Sequence, residues 1–154
     1  MKKSHSILHY LSLGTILAAI SLLFYFLFLT LYPYTVVEMK SPVTVQNKNK
    51  EVRRGEDLLL RVNYCKYYHV EAVMTNILIA DRLIYVLPKQ TVPAYVGCRD
   101  IVLAVATIPS SLPVEMTSPT SHIPVKLKMV AKYRMNEFRT VEQSWISDSF
   151  RIIE

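Results

Sequence analysis

The sequence predicts an all-β domain, an antiparallel sandwich of the immunoglobulin or fibronectin type III class, preceded by one N-terminal transmembrane helix. The chain opens with an uncharged apolar run at residues 7–32. The remainder contains seven or so short segments in which apolar and polar residues alternate. Polar or proline-bearing turns separate these segments, and no convincing amphipathic helix lies between them. A fold of this class hosts many unrelated functions, so function has to be argued from particular residues.

The apolar run at 7–32 is long enough to cross a bilayer. A helix rises about 1.5 Å per residue, so roughly 20 apolar residues span the hydrocarbon core. No Asp, Glu, Lys or Arg occurs between Lys3 and Glu38. A cleaved signal peptide has a shorter apolar region that ends at a small-residue site. Here the run continues past Ala18-Ala19 to Leu31, so we predict an uncleaved signal anchor and a lipid bilayer as a partner.

The anchor divides the chain into four predicted parts. Lys2 and Lys3 make the short side of the anchor positive, and long domains translocate largely regardless of their charge. We therefore predict a single-pass protein of the cytoplasmic (inner) membrane, with its N-terminus inside and its C-terminal domain periplasmic or otherwise extracytoplasmic. The parts are a cytoplasmic tail at 1–6, the transmembrane signal anchor at 7–32, a stalk at 33–41 and a β-sandwich domain at 42–154.

Two cysteines, Cys65 and Cys98, lie in the predicted domain. An even count in an exported domain predicts a disulfide, and the alternative is a pair of reduced, buried thiols in a cytoplasmic domain. Alternation places Leu58 and Tyr64 on one face of their strand and Cys65 on the other. We therefore expect a bridge that ties a strand end to a neighbouring loop, unlike the buried inter-sheet bridge of antibody domains.

Two groups of residues are predicted to bind a partner. Exposed tyrosines favour protein interfaces, which selects the cluster near Cys65; the alternative is that one or more of these tyrosines pack against the sandwich. In the long loop 109–124, His122 is a further candidate. The second group is a basic row on the outward face of the strand Val125–Tyr133; the alternative is a solvated face whose lysines deter edge-to-edge aggregation. The candidate partner-binding residues are Tyr64, Tyr67, Tyr68, His122, Lys126, Lys128, Lys132 and Arg134.

The residue pattern argues against catalysis, metal binding and nucleic-acid binding. The chain has only three glycines in 154 residues, so it lacks a glycine-rich loop of the kind that binds phosphate groups. Cys65 and His69 form a single C-x3-H pair without a second pair to complete a zinc site. His122 near Ser118 and Ser121 is the sole arrangement resembling a nucleophile with its base. The basic row lacks interleaved aromatic residues, so no nucleic-acid partner is expected. We predict no cofactor and no enzymatic activity.

Several short motifs carry a resemblance to a known group. They are Arg53-Arg54-Gly55-Glu56, Asn63-Tyr64-Cys65-Lys66-Tyr67, Gly97-Cys98, Ile108–Pro113, Tyr133-Arg134, Phe138-Arg139-Thr140 and Phe150-Arg151-Ile152. In this order, after a lysine-flanked anchor, they resemble small uncharacterised single-span membrane proteins of tailed bacteriophages and related bacterial genomes. The resemblance covers most of the domain and implies no activity. Those proteins carry a Pro-Gly turn soon after the Leu-Pro step, where this chain has the loop Val114–His122.

Two functions follow as hypotheses. The first is a membrane-anchored, non-enzymatic interaction module, displayed on the extracytoplasmic side, that binds an envelope protein or surface. The alternative is a phage lysis, pore-associated or superinfection-exclusion protein whose anchor oligomerises. Gly14 and Ala18 form a small-xxx-small pair that permits close helix packing, so a homo-oligomer is compatible with the sequence.

Overall fold

The computed structural model describes residues 2–32, 34–116 and 123–153, with side chains for 9–32, 34–113, 115–116 and 123–153. The chain divides into a helical unit and a β unit. Within the described residues, the strands are β1 (Val37–Met39), β2 (Thr44–Val45), β3 (Glu51–Arg53), β4 (Asp57–Lys66), β5 (Ala72–Ala80), β6 (Leu83–Val86), β7 (Gln90–Val92), β8 (Gly97–Thr107), β9 (Val125–Asn136), β10 (Arg139–Ile146) and β11 (Arg151–Ile153).

The predicted apolar segment is a helix, α1 (Lys2–Leu31). Its 23 residues from His9 to Leu31 are long and apolar enough to cross a membrane, and none of this window is buried within the chain. Gly14 is exposed, and a β-carbon added there would meet no atom within 4 Å. The length and composition of α1 thus match the predicted anchor.

Strand β4 is the centre of the first antiparallel sheet. One edge of β4 pairs along its whole length with β8, and the other pairs with β1 at Tyr64–Lys66 and with β2 at Leu60–Arg61. Leu58, Leu60, Val62 and Tyr64 are buried, as the predicted alternation requires. The outer edge of β8 has no strand partner among the described residues.

The second antiparallel sheet is built on β5 and has the order β10-β9-β5-β6. Along its full length β5 pairs with β9, while β6 and β7 share its other edge. A two-residue turn joins β5 to β6, and Asp81 takes the left-handed conformation there with a φ of 50°, which Asp tolerates better than most residues. The predicted β9 face is confirmed, since Val125, Leu127, Met129, Ala131 and Tyr133 are all buried.

The two sheets face each other across one core. The buried Asn76 of β5 donates a hydrogen bond of 3.3 Å from Nδ2 to the carbonyl oxygen of Val105 in β8, which joins the two layers. Opposite Leu58 and Leu59, strand β8 contains a bulge, so Val105 lacks a direct partner. A bulge places two successive residues on one side of a strand. This explains why Val105 and Ala106 are both buried.

Three features differ from the sequence-based expectation. The predicted stalk at 33–41 contains β1, and the alternating segment at 42–46, which predicts the first strand of the domain, is a strand only at Thr44–Val45. In addition, β3 and β11 form a separate parallel pair, with Glu51 opposite Arg151 and an ion pair of 2.6 Å between their side chains. A strand of two or three residues is too short to show a recognisable alternation of apolar and polar residues. Its conformation depends on a partner strand that is distant in the sequence.

The predicted disulfide is present, and its position differs from the expectation. Cys65 of β4 and Cys98 of β8 are directly opposite each other, so the bridge joins two paired strands rather than a strand and a loop. Cys65 is buried although its parity points it away from the main core, whereas Cys98 is exposed. The chain enters β8 through Gly97, whose φ of 128° favours glycine.

Reduction of this disulfide is expected to lower the free energy of unfolding. The two cysteines are 33 residues apart, and the chain-entropy model gives about 3–4 kcal/mol for a loop of this length. Urea unfolding of the full chain in detergent, with and without dithiothreitol, measures the loss. The reduced wild type and the double variant Cys65→Ser, Cys98→Ser should unfold at the same lower urea concentration. An unchanged midpoint after complete reduction would contradict the expectation.

Candidate functional site

The inward face of β4 ends on a buried lysine. Lys66 lies on the same face of β4 as the buried residues Leu60, Val62 and Tyr64, and it is only 2% exposed. Such burial of a lysine is rare, because removing an ammonium from water is costly unless other groups replace the lost hydration. The ammonium of Lys66 therefore defines the first candidate site, which sequence reasoning missed even though the same alternation predicts its direction.

Backbone carbonyls and aromatic rings surround the Lys66 ammonium. Its Nζ donates hydrogen bonds of 2.6 Å to the carbonyl oxygen of Val70 and 3.2 Å to that of Pro93. Nζ also lies 4.6 Å from the centroid of the Tyr95 ring and 5.6 Å from that of Tyr133. Aromatic faces attract cations through the ring quadrupole. The site therefore holds a cation mainly with neutral groups.

No carboxylate pairs with this cation in the part of the chain that the structure describes. None of the five ion pairs there includes Lys66. Burial lowers the pKa of Lys66, and the charge of the exposed Glu71 opposes that shift only in part. Desolvation disfavours the charged form of a lysine in this way.

One more tyrosine, Tyr64, completes the surroundings of Lys66. The hydroxyls of Tyr64 and Tyr95 are hydrogen-bonded to each other, and the Arg99 guanidinium carbon lies 4.4 Å from the Tyr95 ring centroid. Burial raises the pKa of Tyr95, and the hydrogen bond to Tyr64 adds to this shift. Burial, with a contribution from Tyr64, raises the pKa of Tyr133 to about 12. Both rings are thus neutral phenols at ordinary pH.

A cavity of about 120 Å³ lies beside these residues, between the two sheets. Its walls are apolar apart from Lys66 and three tyrosines, and it includes the single tryptophan of the chain, Trp145. On the opposite side to β8, the Gln143 side chain of β10 exchanges two hydrogen bonds, of 2.9 and 3.0 Å, with the backbone of Val37 in β1. The lining residues are Val37, Met39, Val62, Tyr64, Lys66, Met74, Val92, Tyr95, Leu103, Val105, Met129, Ala131, Tyr133 and Trp145.

The predicted tyrosine cluster is not one surface. Tyr64 is buried in the cavity wall, so it is removed from the candidate partner-binding residues. Tyr67 is exposed and its hydroxyl is hydrogen-bonded to Glu38, whose carboxylate also pairs with Lys40 at 2.8 Å. The pKa of Glu38 is lowered, chiefly by its hydrogen bond to Lys40. Tyr68 is half-buried.

The predicted basic row lies on one face, as alternation requires. Lys126, Lys132 and Arg134 are exposed and Lys128 is half-buried on the outward side of β9. However, β9 lies inside the sheet between β5 and β10, so the alternative that these lysines guard a sheet edge is wrong. Lys132 makes a surface ion pair of 3.2 Å with Glu142, a kind of contact that contributes little to stability.

Aliphatic side chains lie beside this basic row and form the second candidate site. Two rows of paired residues run across β6, β5 and β9. The first row is Ile84, Ile79 and Lys126, and the second is Val86, Ile77 and Lys128. Ile84 is 68% exposed and Val86 is 57% exposed. We call this surface the lysine-edged face; it consists of Ile77, Ile79, Ile84, Val86, Lys126 and Lys128.

The remaining sequence-predicted candidates are not brought into either site. His122 lies outside the described residues, together with Ser118 and Ser121. The disulfide occupies the thiol of Cys65, so this residue cannot join His69 in binding zinc as a thiolate. Among the described residues, no three His, Cys, Asp or Glu side chains come together as a metal site. Gly14 and Ala18 are exposed along α1 and belong to neither site.

Comparison with known proteins gives little further information. No protein-family model matches the chain, and no curated protein matches it. The crystal structure of Spo0M, a sporulation control protein from Bacillus subtilis, is similar over 79% of this chain, with 11% sequence identity and a TM-score of 0.35. The matched region is 51% of Spo0M, so the chain spans about half the length of that protein.

The buried tyrosine Tyr133 predicts a pH dependence of stability. Its pKa rises from the ordinary 10.0 to about 12, so the folded chain keeps the phenol proton where the unfolded chain loses it. The resulting stabilisation is complete below pH 10 and is lost as the pH rises from 10 to about 12. We expect Tyr133 to account for a loss of up to about 2–3 kcal/mol of unfolding free energy over this range.

Urea unfolding of the full chain at several pH values measures this effect. In the variant Tyr133→Phe, the unfolding free energy should fall less between pH 10 and about 12 than in the wild type. The control variant Tyr85→Phe should show the same fall as the wild type, because Tyr85 is a half-buried tyrosine of β6 outside the cavity. Lys66 contributes in the opposite direction, since its lowered pKa makes stability rise with pH below 10.5; it does so equally in both variants. An identical pH slope for wild type and Tyr133→Phe would contradict the assignment.

Proposed function

We propose that this chain is a non-enzymatic interaction module anchored in the cytoplasmic membrane by α1. The β unit would be displayed on the extracytoplasmic side, with residues 1–6 inside. The exposed apolar surface of α1 supports the anchor. The Cys65–Cys98 disulfide supports export, because disulfides persist in oxidising compartments and are rare in the cytosol.

The observation that carries the binding role is the lysine-edged face. Soluble domains rarely expose several adjacent large aliphatic side chains, and such patches mark interaction sites when polar residues surround them. Ile84 and Val86 are more than half exposed on one side of this face. Lys126 and Lys128 follow on β9, beyond Ile77 and Ile79 of β5. No ion pair neutralises these lysines among the described residues.

The chemistry of this face favours an envelope protein over a lipid or polymer surface. Side chains that bind the membrane interface are typically aromatic, whereas Ile77, Ile79, Ile84 and Val86 are aliphatic. A polyanionic polymer would leave the aliphatic strip exposed to water. A protein with an apolar centre and acidic residues on one side would cover the aliphatic strip and pair with the lysines.

The class of the β unit and its biological setting are part of the same proposal. Two antiparallel sheets with a shared core support an immunoglobulin- or fibronectin-like sandwich, to which the parallel pair of β3 and β11 is an addition. The resemblance to single-span phage proteins would place the module in a bacterial envelope during infection. No observation favours the lysis, pore or superinfection-exclusion alternative over the interaction module.

The proposed face is tested by site-specific crosslinking in intact cells. A photocrosslinking amino acid in place of Ile84, in the full chain, is expected to give one discrete protein adduct. The double change Lys126→Glu, Lys128→Glu should reduce that adduct several-fold, because exposed ion pairs contribute about 0.2–1 kcal/mol each. The matched control replaces Val102, which is 54% exposed on β8. Lipid adducts alone from position 84, or an equal protein adduct from position 102, would contradict the proposal.

The anchor and its orientation are tested separately. The chain should stay in the membrane pellet after alkaline carbonate washing, because an apolar helix of 23 residues remains embedded in the bilayer. Protease added to spheroplasts should degrade the β unit. Release of the intact chain by carbonate would refute the anchor, and protection of the β unit from protease would refute the orientation.

A further inference from the structure

The buried ammonium of Lys66 and the cavity beside it form a pair of features that the docking role does not use. A cavity lined only by apolar groups stays dry and binds apolar molecules. Here one wall carries a cation, and the burial of an unpaired charge costs more stability than an apolar residue of similar size would. A lysine at this position therefore needs an explanation beyond packing.

Among the residues that the structure describes, the surroundings of Lys66 leave part of its hydrogen-bonding capacity unused. An ammonium has three protons to donate. The carbonyl oxygens of Val70 and Pro93 take two of them. The other nearby groups, the rings of Tyr95 and Tyr133, attract the charge through their faces. An anionic oxygen in the cavity would supply the missing acceptor and the missing counter-charge together.

Size and access limit the ligand. The volume of about 120 Å³ is somewhat below the roughly 150 Å³ cavity that binds benzene in an engineered protein. Leu103 lines the cavity and is 40% exposed on β8, so the cavity reaches the surface at that strand. The ligand would be a compact molecule, with an apolar body of a few carbon atoms and one negative charge.

We propose that this cavity is a binding site for a small monocarboxylate with a compact apolar body, whose carboxylate accepts a hydrogen bond from Lys66 Nζ. The apolar body lies among the side chains of Val62, Leu103 and Met129. A doubly charged phosphate group fits less well, because the cavity offers one cation and otherwise apolar walls. The proposal is independent of the lysine-edged face, which belongs to the outward side of the second sheet.

The single tryptophan of the chain makes the test direct. Trp145 lines the cavity, so its fluorescence reports on occupancy without a label. The full chain in phosphatidylcholine nanodiscs is titrated with propanoate and with 1-propanol, which has a chain of the same length and no charge. We expect a saturable fluorescence change with both probes, and an affinity for propanoate roughly tenfold or more higher, as for a hydrogen bond to a charged group.

Three variants decide whether the preference comes from this site. Lys66→Met should abolish the preference for propanoate while 1-propanol still binds, and it should fold, since apolar replacement of a buried charge is often tolerated. Lys132→Met removes a lysine that is 58% exposed on the outer face and should leave both affinities unchanged. Leu103→Phe narrows the entrance at a half-exposed position and should weaken the binding of both probes.

Three results would overturn the proposal. They are the absence of a saturable response to propanoate, equal affinities for the two probes in the wild type, and a preference for propanoate that survives Lys66→Met. If Lys66→Met does not fold, Leu103→Phe decides: an undiminished response in that variant places the carboxylate elsewhere. Loss of the docking adduct at position 84 has no bearing on any of these results.

Discussion

The pairing of β4 with β8 is the constraint on which the rest of the β unit depends. It runs over ten successive positions from Asp57 to Lys66, and it fixes which side chains of β4 point between the sheets. Because alternate residues share a face, the same pairing that buries Leu60 also directs Lys66 into the core. The disulfide joins the last but one pair of this ladder, so a covalent bond lies next to the buried ammonium. Packing of the core and placement of the charge are therefore consequences of one register.

The two candidate sites lie on opposite sides of the second sheet. Its inner side, with Met129 and Tyr133, contributes to the cavity, while its outer side carries the lysine-edged face. This arrangement would let one sheet serve both the proposed small ligand and the proposed protein partner without shared side chains. The strands β5 and β9 are central to both, and each is paired on both edges for most of its length. Rigid strands of this kind hold both sets of side chains in place.

Sequence reasoning identified the features that repeat with a fixed period. The alternation of β4 and β9, the apolar helix and the two cysteines all have local signatures. Strand β1 and the parallel pair of β3 with β11 could not be read in this way, because a partner far along the chain decides each of them. The lysine-edged face could not be predicted, because β5 is apolar on both sides around Ile77 and Ile79. Its sequence therefore does not show which side is exposed. Lys66 was missed because its charge suggests an exposed position, although its parity indicated the opposite.

The two hydrogen bonds between Gln143 and the backbone of Val37 have a mechanical consequence. Val37 is the first residue of β1 and pairs with Lys66 of the first sheet, while Gln143 belongs to the second sheet. If the chain is anchored and bound to a partner as proposed, tension would enter the β unit through β1. The two hydrogen bonds would pass part of that load to the second sheet, so that it would not act on the first sheet alone.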